Sequence, residues 1–250
     1  MEKIRNMVLR LGISRGTYEN FVNRIVELSI LKKSSYVCVA NVHMCVEAYD
    51  DDEFGKAVNT ADIVTPDGMP LAKAINFLYG EYQDRVAGMD LLPDLLEEAE
   101  KKGIFCFFYG GSEKMLQKSK DFITERYPNL RCGYHSPPFR NLSLEEEKRD
   151  SELINKFGAH LVFVALGCPK QEKWMARMKG QIQACMIGIG GALPVMIGMQ
   201  DRAPVWMQRS SLEWLYRLIQ EPKRLFRRYA YTNSKFIYLL IKQKLGQLKR

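Results

Sequence analysis

The chain has 250 residues, 46% of them apolar and 26% charged, with only 18 Gly and 10 Pro. That is enough for one large core, or for a core with an appendage, and it excludes a fibrous or disordered chain. The net charge of +8 points to a polyanionic partner, whether nucleic acid, an anionic membrane surface or a phosphate group.

In chain order, the start "MEKIRNMVLRLGISRG" is too charged for a signal peptide, and a leading helix is predicted over 17–32. Five apolar runs of strand length follow: "YVCVA" (36–40), "ADIV" (61–64), "IFCFFY" (104–109), "HLVFVAL" (160–166) and "ACMIGI" (184–189). They are continuous rather than alternating, as expected of strands covered on both faces. Between them lie helical patterns such as "MCVEAYDDDEFGKAV", "LLPDLLEEAEKKG", "SEKMLQKSKDFITERY", "LEEEKRDSELINKFG" and "KQEKWMARMKG". Strand–helix alternation at this interval implies an α/β fold: a mainly parallel, Rossmann-like sheet with helices on both faces.

The tail differs from the body. From Arg202 to Arg250 there are twelve Lys and Arg against two acidic residues, whereas residues 1–201 carry 25 basic and 27 acidic side chains. Aromatic residues interleave with the charges: Trp206, Trp214, Tyr216, Phe226, Tyr229, Tyr231, Phe236 and Tyr238. Arg217, Arg224 and Arg227 share one helical face if the helix survives Pro222. The chain therefore divides into an α/β body, 1–200, and a basic helical appendage, 201–250. Such a segment suits an anionic membrane interface, nucleic acid, or simply a solvated face. No run of 18 uncharged apolar residues exists, so no transmembrane helix is expected. Six cysteines without a C-x-x-C pair read as buried hydrophobes in a reducing cytosol. Three widely spaced histidines make a zinc site an unattractive reading.

In parallel sheets ligands bind beyond the carboxyl ends of the strands. Here those ends carry Asn41; Asp67 in "TPDG"; Gly110 and Gly111 in "YGGS"; Gln171 in "LGCPKQE"; and Gly190 and Gly191 in "GIGG". The glycine turns would let backbone amides approach a phosphate, but Gly-Gly-Ser also makes a plain strand-to-helix turn with a serine cap. Neither is a G-x-G-x-x-G or a P-loop. Asp67 reads either as a residue capping a helix or as a carboxylate held between Pro66 and Gly68 to accept a proton. "AYDDDEF" (48–54) has the look of a D-x-D metal motif but falls in a polar helical face.

Taken together, "ANVHM" (40–44), "ADIVTPDGMPL" (61–71), "RVAGMDLLPDLL" (85–96), "FYGGSE" (108–113), "ALGCPKQEKWM" (165–175), "GIGGALPVMIGMQDRAPVWMQ" (188–208) and "LEWLYRLIQEPKRLFRRY" (212–229) resemble the WecG/TagA/CpsF family of bacterial glycosyltransferases. The resemblance implies inverting, metal-independent transfer of a sugar from a UDP-sugar to a polyprenyl-diphosphate-linked saccharide. The reaction would take place at the cytoplasmic face of the membrane, for cell-surface polysaccharide synthesis. It implies Asp67 as catalytic base. Asn41 and Gln171, with the glycines 110, 111, 190 and 191, would lie on the donor side; Arg85, Arg217, Arg224 and Arg227 would bind acceptor or diphosphate. It implies no cofactor, no metal and no nucleic-acid partner, and it leaves homo-oligomer formation and the sugar open.

Two positions depart from the family pattern. Val39 stands where many relatives have Thr, and Pro194 where they often have Asp or another polar residue. Both touch donor contacts rather than the reaction class. The alternatives from composition and fold class are a nicotinamide-dependent oxidoreductase, disfavoured by the missing dinucleotide fingerprint, and a nucleotide- or nucleic-acid-binding protein using the basic tail.

Overall fold

The computed structural model describes residues 4–210 and 212–248, the side chains of Arg209 and Arg224 excepted. Its elements are, in chain order, β1 (Arg5–Val8), β2 (Leu11–Ser14), α1 (Tyr18–Ile30), β3 (Ser35–Ala40), α2 (Val42–Asp50), α3 (Asp52–Asn59), β4 (Ile63–Pro66), α4 (Met69–Tyr79), α5 (Gly88–Lys102), β5 (Cys106–Gly110) and α6 (Glu113–Arg126). Then come β6 (Cys132–His135), α7 (Leu144–Phe157), β7 (Leu161–Ala165), α8 (Lys170–Met178), β8 (Cys185–Gly188), α9 (Ala192–Met196), α10 (Val205–Arg209), α11 (Glu213–Gln220) and α12 (Pro222–Leu248).

Six strands form a parallel sheet in the order β4-β3-β8-β7-β5-β6, with helices around it. The predicted α/β class is therefore the observed one. Strands β3, β4, β5 and β8 are buried at every position, which is why their sequences are unbroken apolar runs rather than alternating ones. Strand β6, not foreseen, pairs with β5 from Cys106↔Cys132 to Tyr109↔His135 and is half-buried throughout. A one-sided edge strand of four mixed residues leaves no apolar run to read. The hairpin β1–β2, antiparallel with Val8 opposite Leu11, was likewise hidden inside a charged start.

The chain divides into two compact units. One comprises Met1–Tyr18, Val39–Ala87 and Asp201–Arg250; the other comprises Glu19–Cys38 and Gly88–Gln200. Within the first, the predicted helix over 44–58 is two helices. Asp51 ends α2 and caps α3, its carboxylate accepting the N–H groups of Glu53 and Phe54. Its neighbours are also engaged: Asp50 accepts from Tyr231 and Lys235, and Asp52 pairs with Arg10. Among the described residues no group of three or more His, Cys, Asp or Glu side chains is placed to hold a metal ion.

Helix α12 is fastened along this unit. It buries Leu225, Thr232, Phe236 and Leu239. Besides its bonds to Asp50, Gln243 accepts from the Leu9 N–H (2.8 Å) and donates to the Met7 carbonyl (2.8 Å), and Lys244 donates to the Leu78 carbonyl (3.0 Å). Pro222 is the first residue of α12, after a break at Glu221, so the single helix through Arg217, Arg224 and Arg227 does not form. Arg217 sits on α11, Arg227 on the exposed side of α12, and the Arg224 side chain lies outside the described residues. Among the described residues no helix is long and apolar enough to cross a membrane.

Candidate active site

In the first unit, Asp67 follows the last residue of β4. Its backbone N–H donates to the Ala40 carbonyl at the end of β3 (2.7 Å), and the Pro66 carbonyl accepts from the Val86 N–H (2.9 Å). These bonds fix the backbone on both sides of the acid. Gly68, at φ +84°, makes the turn into α4 and is itself the N-cap residue. The helix start therefore takes no side-chain cap, and the Asp67 carboxylate is not consumed as one. That removes the bland reading of the residue.

Four side chains surround the carboxylate. Asn41 accepts the Met44 N–H through its Oδ1 (3.2 Å), capping α2, and its side chain also hydrogen-bonds Asp67. Arg217 of α11 and Arg85 bring positive charge, and Glu213 of α11 brings negative charge. Arg85 and Glu213 form an ion pair of 3.1 Å, both largely buried. Burial pushes the Asp67 carboxyl up to about 6; Arg217 opposes this, Glu213 adds to it, and Arg85 and the Asn41 bond oppose it. The result is a carboxylate ionised at neutral pH yet basic enough to take a proton. The structure thus brings together Asn41, Asp67, Arg85 and Arg217. Glu213 went unpredicted; its signal is that it is one of only two acids in the basic tail.

In the second unit, Gly110 and Gly111 both have positive φ, +102° and +79°. A Cβ on Gly110 would lie 2.8 Å from the Ala165 backbone of β7, so this glycine is required by close strand packing. Ser112 then caps α6, accepting the Met115 N–H (3.2 Å), and Ser136 donates to the Gly111 carbonyl (2.7 Å). Gln171 is buried. Its Oε1 accepts from the Gly167 N–H (3.1 Å), and its Nε2 donates to Glu172 Oε1 (2.8 Å). Its amide fills the space where side chains on Gly188 and Gly190 would be. The Gly190 N–H is directed to the Val164 carbonyl (3.4 Å), and Gly191 begins α9. Among the described residues, then, Gln171 and Gly190 are held by protein partners.

A cavity of about 210 Å³ opens in this unit, with Gly111 and Leu166 in its wall. Tyr109 and Trp174, stacked at 4.2 Å, form one side; Phe139 and the cations Lys170 and Lys173 complete its character. Gly110, Gln171, Gly190 and Gly191 do not line it. Sequence reasoning had no route to this wall, because its aromatic residues come from a strand and a helix far apart in the chain.

Comparison with known proteins decides the family. The model of the Glycosyl transferase WecG/TagA/CpsF family matches residues 6–250. This chain belongs to that family. Among its relatives is the N-acetylglucosaminyldiphosphoundecaprenol N-acetyl-beta-D-mannosaminyltransferase of Bacillus subtilis, 30% identical over 194 residues, 77% of this chain and 74% of the relative. Proteins of the same name from Bacillus spizizenii and Staphylococcus aureus are each 28% identical over 193 residues, with the same coverage. The WecG/TagA/CpsF assignment makes the chain a glycosyltransferase. A transferase replaces the oxidoreductase reading.

Proposed function

We propose that the chain moves a sugar from a UDP-sugar to a saccharide carried on polyprenyl diphosphate, with inversion and without a metal ion, for cell-surface polysaccharide synthesis. The observation that carries this reading is the uncapped carboxylate of Asp67, ionised at neutral pH and flanked by Arg217 and Arg85. As base, Asp67 takes the proton of the acceptor hydroxyl while that oxygen forms a bond to the anomeric carbon. The bond from that carbon to the nucleotide breaks on the opposite face, and UDP leaves with the electron pair. The proton passes to the carboxylate and then to solvent. Arg217, with Arg85, Arg224 and Arg227, offsets the charge gathering on the diphosphate.

The relatives' names support a polyprenyl-linked acceptor, since each is named for transfer of N-acetylmannosamine to N-acetylglucosaminyl-diphospho-undecaprenol. The donor-side assignments are Asn41, Gly110, Gly111, Gln171, Gly190 and Gly191; of these Gln171 and Gly190, held by protein groups, shape their turns. The appendage, 201–250, supports docking on the inner face of the cell membrane. Trp206, Phe226, Ile237, Tyr238, Ile241 and Leu245 are exposed amid an excess of basic residues.

The test is a panel of UDP-sugars with a short-chain prenyl-diphosphate N-acetylglucosamine acceptor, read by mass spectrometry in the presence of a chelator. A disaccharide product from one donor, absent with Asp67→Asn, supports the reading. No product from any donor, or undiminished product from the variant, overturns it.

A further inference from the structure

Three polar atoms at the junction of α2 and α12 are buried without a hydrogen-bond partner: His43 Nδ1, Arg228 Nε and Thr232 Oγ1. The two helices pack against each other, the Arg228 charge is felt at His43, and residues 228 and 232 stand one turn apart on α12. Buried polar atoms in proteins are ordinarily paired, so three unpaired atoms along the packed helices α2 and α12 call for an explanation. Thr232 is only 4% exposed, and its hydroxyl turns neither to solvent nor to the backbone. His43 and Arg228 are half-buried, which gives the cluster a way to the surface.

The chemistry is one-sided. Arg228 donates only, the threonine hydroxyl can donate, and a neutral imidazole can carry its proton on Nδ1. Three donors, one of them a guanidinium, match the oxygens of a phosphate group. His43 is also the second residue of α2, where backbone dipoles favour an anion. The N-cap of that helix is Asn41, which bonds Asp67. An anion held here therefore lies beside the carboxylate's own support, in the same unit.

We infer that His43, Arg228 and Thr232 form a seat for a substrate diphosphate, distinct from the arginines on which the family resemblance drew. This rests on the transfer reading above. The diphosphate has two sources, the nucleotide donor and the prenyl carrier, and the same chemistry would take either.

The experiment measures calorimetric binding of UDP and of farnesyl diphosphate, with UMP and farnesyl monophosphate as one-phosphate comparators. It uses the full chain and its Thr232→Val and Arg228→Gln variants. Each variant is expected to weaken at least one diphosphate ligand about tenfold or more, as loss of a hydrogen bond to a charged group does, while its monophosphate comparator changes little. Loss with UDP assigns the donor, loss with the prenyl ligand assigns the acceptor, and loss with both assigns a shared seat. Unchanged binding of both diphosphates overturns the inference. Thr232→Val, which keeps the side-chain shape, should melt at the same or a higher temperature without ligand, separating binding from folding; if it misfolds, Arg228→Gln and His43→Gln carry the test. Wild-type transfer, assayed in parallel, separates the two claims. Variant-sensitive binding without transfer leaves the seat standing and removes the transfer reading. Transfer with variants that bind like wild type removes the seat alone.

Discussion

Asp67 is costly to the fold, and the cost is informative. Its folded-state acidity, near 6, lies above the ordinary value of 3.8. Between those values the folded chain binds more protons than the unfolded one, so stability falls as pH rises from about 4 to about 6. The full effect is on the order of 3 kcal/mol. Asp67→Asn should therefore raise the melting temperature at pH 7.5 while lowering transfer by roughly 10²–10⁴, with UDP binding kept. A variant that is both less stable and less active would contradict the role of base. With Asp67 as the proposed base, activity should rise through about pH 6 and level off above it. Glu213 makes Asp67 a weaker acid by its own charge, and it pairs with Arg85, which acts the other way. Glu213→Gln should shift the acid limb of the profile to lower pH, measured as kcat/KM. An unmoved limb would remove Glu213 from the electrostatics of the site.

At the scale of elements, what the sequence revealed was whatever leaves a one-dimensional trace. Strands β3, β4, β5, β7 and β8 were legible because burial makes each a continuous apolar run. The strand-end positions of Asn41 and Asp67 followed from them. Where the trace is mixed, reading failed: β6 is half-buried, β1–β2 is charged, and Asp51 splits a periodic stretch by capping. Glu213 was illegible because its meaning comes from Arg85, far away in the chain. The glycine turns were seen, but not that Gly110 is required by the close packing of β5 on β7. Gly110→Ala must bear φ +102° and a 2.8 Å approach to the β7 backbone. It should destabilise by on the order of 2–4 kcal/mol, read by denaturant unfolding. A change below 0.5 kcal/mol would show that β5 and β7 can separate without cost.

For the whole molecule, charge is the organising quantity. A body near neutrality carries a tail with twelve basic and two acidic residues, and that tail also exposes Trp206 and Phe226, each 62% accessible. The protein should sediment with phosphatidylglycerol vesicles, less so in 0.5 M salt, and hardly at all with phosphatidylcholine. Phe226→Asp with Ile237→Asp should weaken the association further; equal sedimentation with neutral vesicles would refute electrostatic docking. The same tail is also a structural member, since α12 ties the first hairpin to α2 and α4 through Gln243, Asp50 and Lys244. This has a meaning for synthesis. On the ribosome the hairpin is made before the helix that fastens it, so Asp67 acquires Arg217 and Glu213 only after α11 has emerged. A nascent chain halted short of that point would hold its acid in unfinished surroundings.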